Sequence, residues 1–256
     1  MIPNPIRKVL STMQAQHVRA LLMGGQACVL YGAAQFSRDV DLAILADAEN
    51  LGRLQAALDE LRAEVVAVPP FEARHLERGH SVHFRCHHPE AAGLRVDVMS
   101  KLRGVDAFPA IWERRTTLAD ETGCHWELLA LPDLVQAKKT QRDKDWPMVR
   151  ALVEAHYFSN RTAPSAEAVE FWLRELRTPE LLLEVAAGHA AAAVPLVPAR
   201  PAIAAAQRQD LGEVARQLAE EERSERLADT AYWKPLKTEL EQLRRLRLGD
   251  GPVRPL

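Results

Sequence analysis

Hydrophobic and polar positions change rhythm three times between Arg19 and Leu45. Arg19–Met23 reads as a short, continuously apolar buried strand. Gly24-Gly25 breaks it, and Gln26–Ala34 follows as a helix ending near Gly32. From Asp39 to Leu45 the pattern alternates, with Val40, Leu42 and Ile44 on one face of a strand and Asp39 and Asp41 on the other. Upstream, Pro5 suits a first helical turn, and Ile6, Val9, Leu10 and Met13 recur at helical spacing. Downstream, Asp47 is placed to cap a helix whose apolar stripe is Leu51, Leu54, Leu58 and Leu61.

Val65–Val68 reads as another strand, stopped by Pro69-Pro70, with loop from there to Gly79. Ser81–Cys86 and Leu94–Met99 are two further strands joined by the turn-rich residues 88–93. From Leu131 the spacing becomes helical and stays so: Pro132 and Asp133 open one helix, and Trp146–His156 forms a second. Four more helical stretches follow, near 165–176, 179–193, 209–228 and 232–247. The proline-rich VPLVPARP at 194–201 reads as a linker. The pattern predicts an α+β fold, with an N-terminal α/β domain over 1–157 and a helical C-terminal domain over 158–256.

Composition narrows this picture without naming a function. The 256 residues suffice for one large or two small cores, and 33 Lys plus Arg against 35 Asp plus Glu give no bulk attraction to polyanions. Three dispersed cysteines without a CxxC, and an N-terminus lacking an apolar signal core, fit a cytoplasmic protein. The uncharged run Ala20–Ser37 contains too many Gly and Gln residues for a membrane span. Trp146, Trp172 and Cys28 read as core, and the run 219–226 as a solvated helix face. HSVHFRCHH (80–88) lacks the paired spacing of a zinc site and reads as a solvent-facing strand, although alternation lets His83 line the same cleft as Asp97.

The chemistry concentrates in the acids. Asp39 and Asp41 share one side of their strand about 6.5–7 Å apart, and two carboxylates that close call for a cation. Asp97, in LRVDVMS, offers a third carboxylate on a strand of the same design. Three oxygen donors on adjacent strands suit Mg²⁺, and a pair of such ions about 3.5–4 Å apart serves in-line phosphoryl or nucleotidyl transfer. A strand that ends in Gly-Gly and turns into a helix presents bare N–H groups to phosphate oxygens.

Together GGQAxxxYGxxxxSxDVDL resembles the DNA polymerase beta-like nucleotidyltransferase superfamily. The nearest variety is the stand-alone bacterial type with GG-x-A and D-x-D, which includes phage-defence and toxin-antitoxin transferases. The resemblance extends through LPDLVQAKKTQRDKDWPMVRAL to about Ala155. It implies a small mixed sheet flanked by helices, and transfer of a nucleoside monophosphate from an NTP donor to a hydroxyl on a small molecule, protein or RNA end, with release of pyrophosphate. It implies that Gly24 and Gly25 cradle the triphosphate, that Asp39 and Asp41 hold two Mg²⁺ (or Mn²⁺) ions, and that Asp97 holds the catalytic ion and helps deprotonate the acceptor. Ser37 keeps the usual hydroxyl position, and Lys138 and Arg142 match basic residues that reach phosphates. Gln26 and Gln35 depart from the pattern, standing where related sequences often carry His and Arg. The alternative implication is a catalytically degenerate NTP-binding or interaction protein paired with an antitoxin-like partner. The C-terminal half shows no basic stripe for RNA.

Overall fold

The computed structural model describes residues 2–119 and 123–249. In chain order the elements are α1 (Asn4–Ala15), β1 (Ala20–Met23), α2 (Gly24–Leu30), β2 (Asp39–Ile44), α3 (Ala48–Glu60), β3 (Glu64–Val65), α4 (Ala73–Arg78), β4 (Val82–Arg85) and β5 (Arg95–Met99). Then come α5 (Phe108–Glu113), β6 (Thr116–Ala119), β7 (His125–Leu128), α6 (Leu131–Lys138), α7 (Asp145–Asn160), α8 (Ala166–Glu175), α9 (Pro179–Gly188), α10 (Ala190–Ala193), α11 (Pro201–Gln207) and α12 (Leu211–Gly249). The fold is α+β, built on a seven-stranded mixed sheet of order β3-β4-β5-β2-β1-β7-β6. The β2–β5 and β1–β7 pairs are parallel and the others antiparallel.

Two compact units share the chain: Met1–Ala27, Phe36–Asp133 and Ala231–Leu256 form one, Cys28–Gln35 and Leu134–Thr230 the other. The first holds the whole sheet. Val40 and Leu42 of β2, Val96 and Val98 of β5, and Val82 and Phe84 of β4 are all buried, as strict alternation requires. Helix α1 contributes Ile6, Val9, Leu10 and Met13 to the core and packs on β2 and α3. Asp47 caps α3 by accepting the Asn50 N–H at 2.7 Å. Asn50, itself buried, accepts the Arg19 N–H at 2.7 Å and donates to the carbonyls of Arg19 and Leu45 at 3.0 and 2.7 Å. One amide thus joins the backbone where β1 begins to the backbone where β2 ends, alongside the Leu45 N–H donated to the Arg19 carbonyl at 3.2 Å.

In the second unit α7, α8, α9 and α11 pack in succession. Trp146 and Trp172 are core, as their apolar settings suggest, and Trp172 donates its indole N–H to His156 Nδ1 at 2.9 Å. Arg200 is buried and donates to the carbonyls of Leu173 and Leu176 at 2.6 Å each, capping the end of α8, while Glu221 at 3.1 Å balances its charge.

Several expectations need correction. Residues 73–78 form helix α4 rather than loop, ended by Gly79 at φ +105°. The strand expected over Val65–Val68 shrinks to Glu64–Val65, paired with β4, and beyond it the Val66 N–H still donates to the His83 carbonyl at 3.0 Å. The two last helical stretches are one helix, α12, which runs through Pro235. VPLVPARP is no linker: it lies inside the second unit, with Leu196 and Arg200 buried and Pro201 opening α11. Residues 80–88 face solvent on one side only: Arg85 and His87 are exposed, whereas Val82, Phe84 and Cys86 alternate with them into the core and His80 is buried. Within 219–226, Glu221 turns inward to Arg200 and Arg177. Among the described residues no helix is long and apolar enough to cross a membrane.

Candidate functional site

The acidic face is assembled by strand register. In the parallel β2–β5 pair Asp41 lies beside Asp97 and Asp39 beside Arg95, while antiparallel pairing of β4 with β5 sets His83 beside Asp97. Neighbouring strands stand about 4.8 Å apart, so these five side chains occupy one small patch. Their partners in the alternation, Val40, Leu42, Val96 and Val98, are sealed into the core and hold the register.

The glycine pair borders this patch for a steric reason. Gly24 has φ +67°, and a Cβ there would fall 1.9 Å from Asp41 Oδ2. A Cβ on Gly25 would fall 2.7 Å from Ser37 Oγ. The Asp41 carboxylate and the Ser37 hydroxyl therefore lie against the bare backbone of the turn, a packing that only glycine permits. Gln26 follows in the first turn of α2. It is 1 % exposed, and neither Nε2 nor Oε1 has a hydrogen-bond partner among the described residues.

Asp97 is held from two sides. Arg95 donates from Nε to Asp97 Oδ1 at 2.7 Å, and His83 Nδ1 lies 2.8 Å from the same oxygen. Arg95 Nη2 is also 3.0 Å from His83 Nδ1. Burial disfavours the Asp97 charge, but the hydrogen bonds from His83 and Arg95 outweigh it and draw the carboxyl below its ordinary value. For Arg95 the Asp97 hydrogen bond dominates, with the charges of Asp97, Asp39 and Asp41 adding to it against desolvation, so its pKa is raised. Arg95 was not anticipated from the sequence, although it stands two residues from Asp97 in an alternating strand and had to share its face, whereas alternation had already offered His83 to the same cleft.

The three carboxylates thus meet on one face, as expected. As they stand they do not converge: among the described residues no group of three or more His, Cys, Asp or Glu is disposed to hold a metal ion. The reason is visible in the contacts, since Asp97 turns Oδ1 to Arg95 and His83 while Asp41 lies on Gly24. The donor set, hard carboxylate oxygens on adjacent strands, is still of the kind that suits Mg²⁺ or Mn²⁺.

Lys138 and Arg142 belong to the second unit, where both serve Asp145. Lys138 Nζ lies 3.4 Å from its Oδ1, Arg142 Nε 2.7 Å from its Oδ2, and Thr140 donates to Oδ2 at 2.6 Å. Burial again opposes the Asp145 charge, and the Lys138 charge, the Thr140 hydrogen bond and Arg142 overcome it, so its pKa falls. These cations join the α6–α7 junction. Lys139, a weaker candidate on the same stretch, is buried against Glu175 at 2.8 Å.

Phe36, just ahead of Ser37, is 69 % exposed with the Arg38 guanidinium 5.8 Å from its ring centroid. The ring is thus open to solvent, with a cation over it. No family model matches the chain, and neither does any curated protein.

Proposed function

We propose that this chain is a metal-dependent nucleotidyltransferase that moves a nucleoside monophosphate from an NTP to a hydroxyl acceptor and releases pyrophosphate. The observation that carries the reading is the register of Asp39, Asp41 and Asp97 on one sheet face, bordered by a glycine turn against which Asp41 and Ser37 pack. Bound to these carboxylates, Mg²⁺ would neutralise the triphosphate and polarise the phosphorus under attack. Asp39 and Asp41 would hold the ion from β2, and Asp97 from β5. Asp97, held ionised by His83 and Arg95 before metal binds, would also offer an oxygen to take the acceptor's proton. The backbone N–H groups of Gly24 and Gly25 would face phosphate oxygens, and Phe36 would give the base a surface to stack on. The test is pyrophosphate release from NTPs in Mg²⁺, expected of the natural chain and absent from Asp97→Asn.

A second reading is favoured by the Arg95–Asp97 contact, which neutralises one of the three acids. In it the chain is a catalytically degenerate relative, an NTP-binding or interaction protein of a toxin-antitoxin or defence pair with an antitoxin-like partner. Calorimetry of NTP binding separates the two, since the enzyme's binding strengthens with Mg²⁺ and an interaction module's does not.

A further inference from the structure

Arg95 stands among the carboxylates assigned to metal, and its position there asks for a reason. The parallel register sets it beside Asp39, its Nε takes Asp97 Oδ1 at 2.7 Å, and its side chain is 41 % exposed, so it can swing outward without breaking the core. As a structural ion pair its contribution is reduced, because the Arg95 end is open to water and screened by it. Its effect on a cation entering the patch is much larger. A guanidinium and a divalent ion draw on the same carboxylate charge, and the two like charges a few ångströms apart repel.

We propose that Arg95 is a resident counter-cation that competes with divalent metal for Asp97 and has to leave that carboxylate when the metal binds. The inference rests on the reading of Asp39, Asp41 and Asp97 as metal ligands. It makes the patch a weaker metal site than its carboxylates alone would form. It also couples metal to nucleotide, since a triphosphate gives the released guanidinium another anion to pair with.

The experiment is calorimetric titration of Mn²⁺, without nucleotide, into the full chain and into Arg95→Gln, Arg95→Lys and Asp41→Asn. Arg95→Gln should bind Mn²⁺ at least about tenfold more tightly than the natural chain, Arg95→Lys should fall between them, and Asp41→Asn should lose binding. Equal or weaker binding by Arg95→Gln overturns the proposal, and Mn²⁺ binding lost in Asp41→Asn would leave the metal assignment standing. Absence of Mn²⁺ binding in every protein overturns both. A crystal structure of the natural chain with Mn²⁺ gives a check independent of variant folding: Arg95 is expected to have left Asp97, and an intact contact beside the ion contradicts the proposal.

Discussion

Gln26 and Asn50 are both buried amides, yet they stand in opposite circumstances. Asn50 makes three hydrogen bonds to backbone at the outer ends of β1 and β2. Asn50→Ala would take this partner from the Arg19 N–H and the Leu45 carbonyl and cost about 1–3 kcal/mol, measurable by urea denaturation. Among the described residues neither polar atom of Gln26 has a partner, so an apolar side chain of the same length should relieve an unmet cost. Gln26→Met is expected to stabilise the fold by about 1–2 kcal/mol, and a loss of stability would show that the amide is satisfied in solution. Neither circumstance could be read from the chain. An amide in a helix is legible as polar, whereas the backbone groups it meets depend on how strands end elsewhere. The aspartates were legible, because alternation alone sets Asp39 and Asp41 opposite Val40 and Leu42. Arg95 was half legible: its face followed from Asp97, but its partner on β4 depended on register.

At the scale of elements, legibility tracked length and punctuation. Helices α1 and α3 announce themselves through apolar stripes with a proline in the first turn and an aspartate cap. Helix α4 is only six residues long and follows a proline pair, and β6 and β7 have four residues each, too few for periodicity to declare itself. The pattern split α12 into stretches near 209–228 and 232–247, the second of which contains Pro235. In the structure the helix continues past it, at the cost of the hydrogen bond from residue 235 to Ala231. Beyond that point Glu239 clasps the sheet unit: Arg78 donates to it through Nε and Nη2 at 2.9 and 2.7 Å, and His80 Nε2 lies 2.8 Å away. Glu239→Ala should release this end of α12, read as faster amide exchange over residues 235–247 with exchange in β2 and β5 unchanged.

For the whole molecule, acid sensitivity should begin with histidine. His75 is held below its ordinary value of 6.5 by burial first and then by the Arg74 charge, with Glu72 and Glu239 opposing and His80 adding to the fall. His156 is lowered by burial alone and must stay unprotonated at Nδ1 to accept from Trp172. A base whose folded pKa is depressed binds more protons when unfolded, so its contribution is complete above about 6.5 and is lost as pH falls below it. Thermal unfolding should therefore be level from pH 8 to 7 and decline from about 6.5 downward, before the carboxylates titrate. His156→Gln, which keeps an acceptor for Trp172, should flatten that decline. The central claim concerns the acidic face, and the most direct measurement on it is transfer of label from an α-³²P NTP. With Mg²⁺ and an extract supplying acceptors, the natural chain should transfer label, and the double variant Asp39→Ala, Asp41→Ala should not. Transfer that survives in the double variant, or none from the natural chain with any of the four NTPs, would contradict the account.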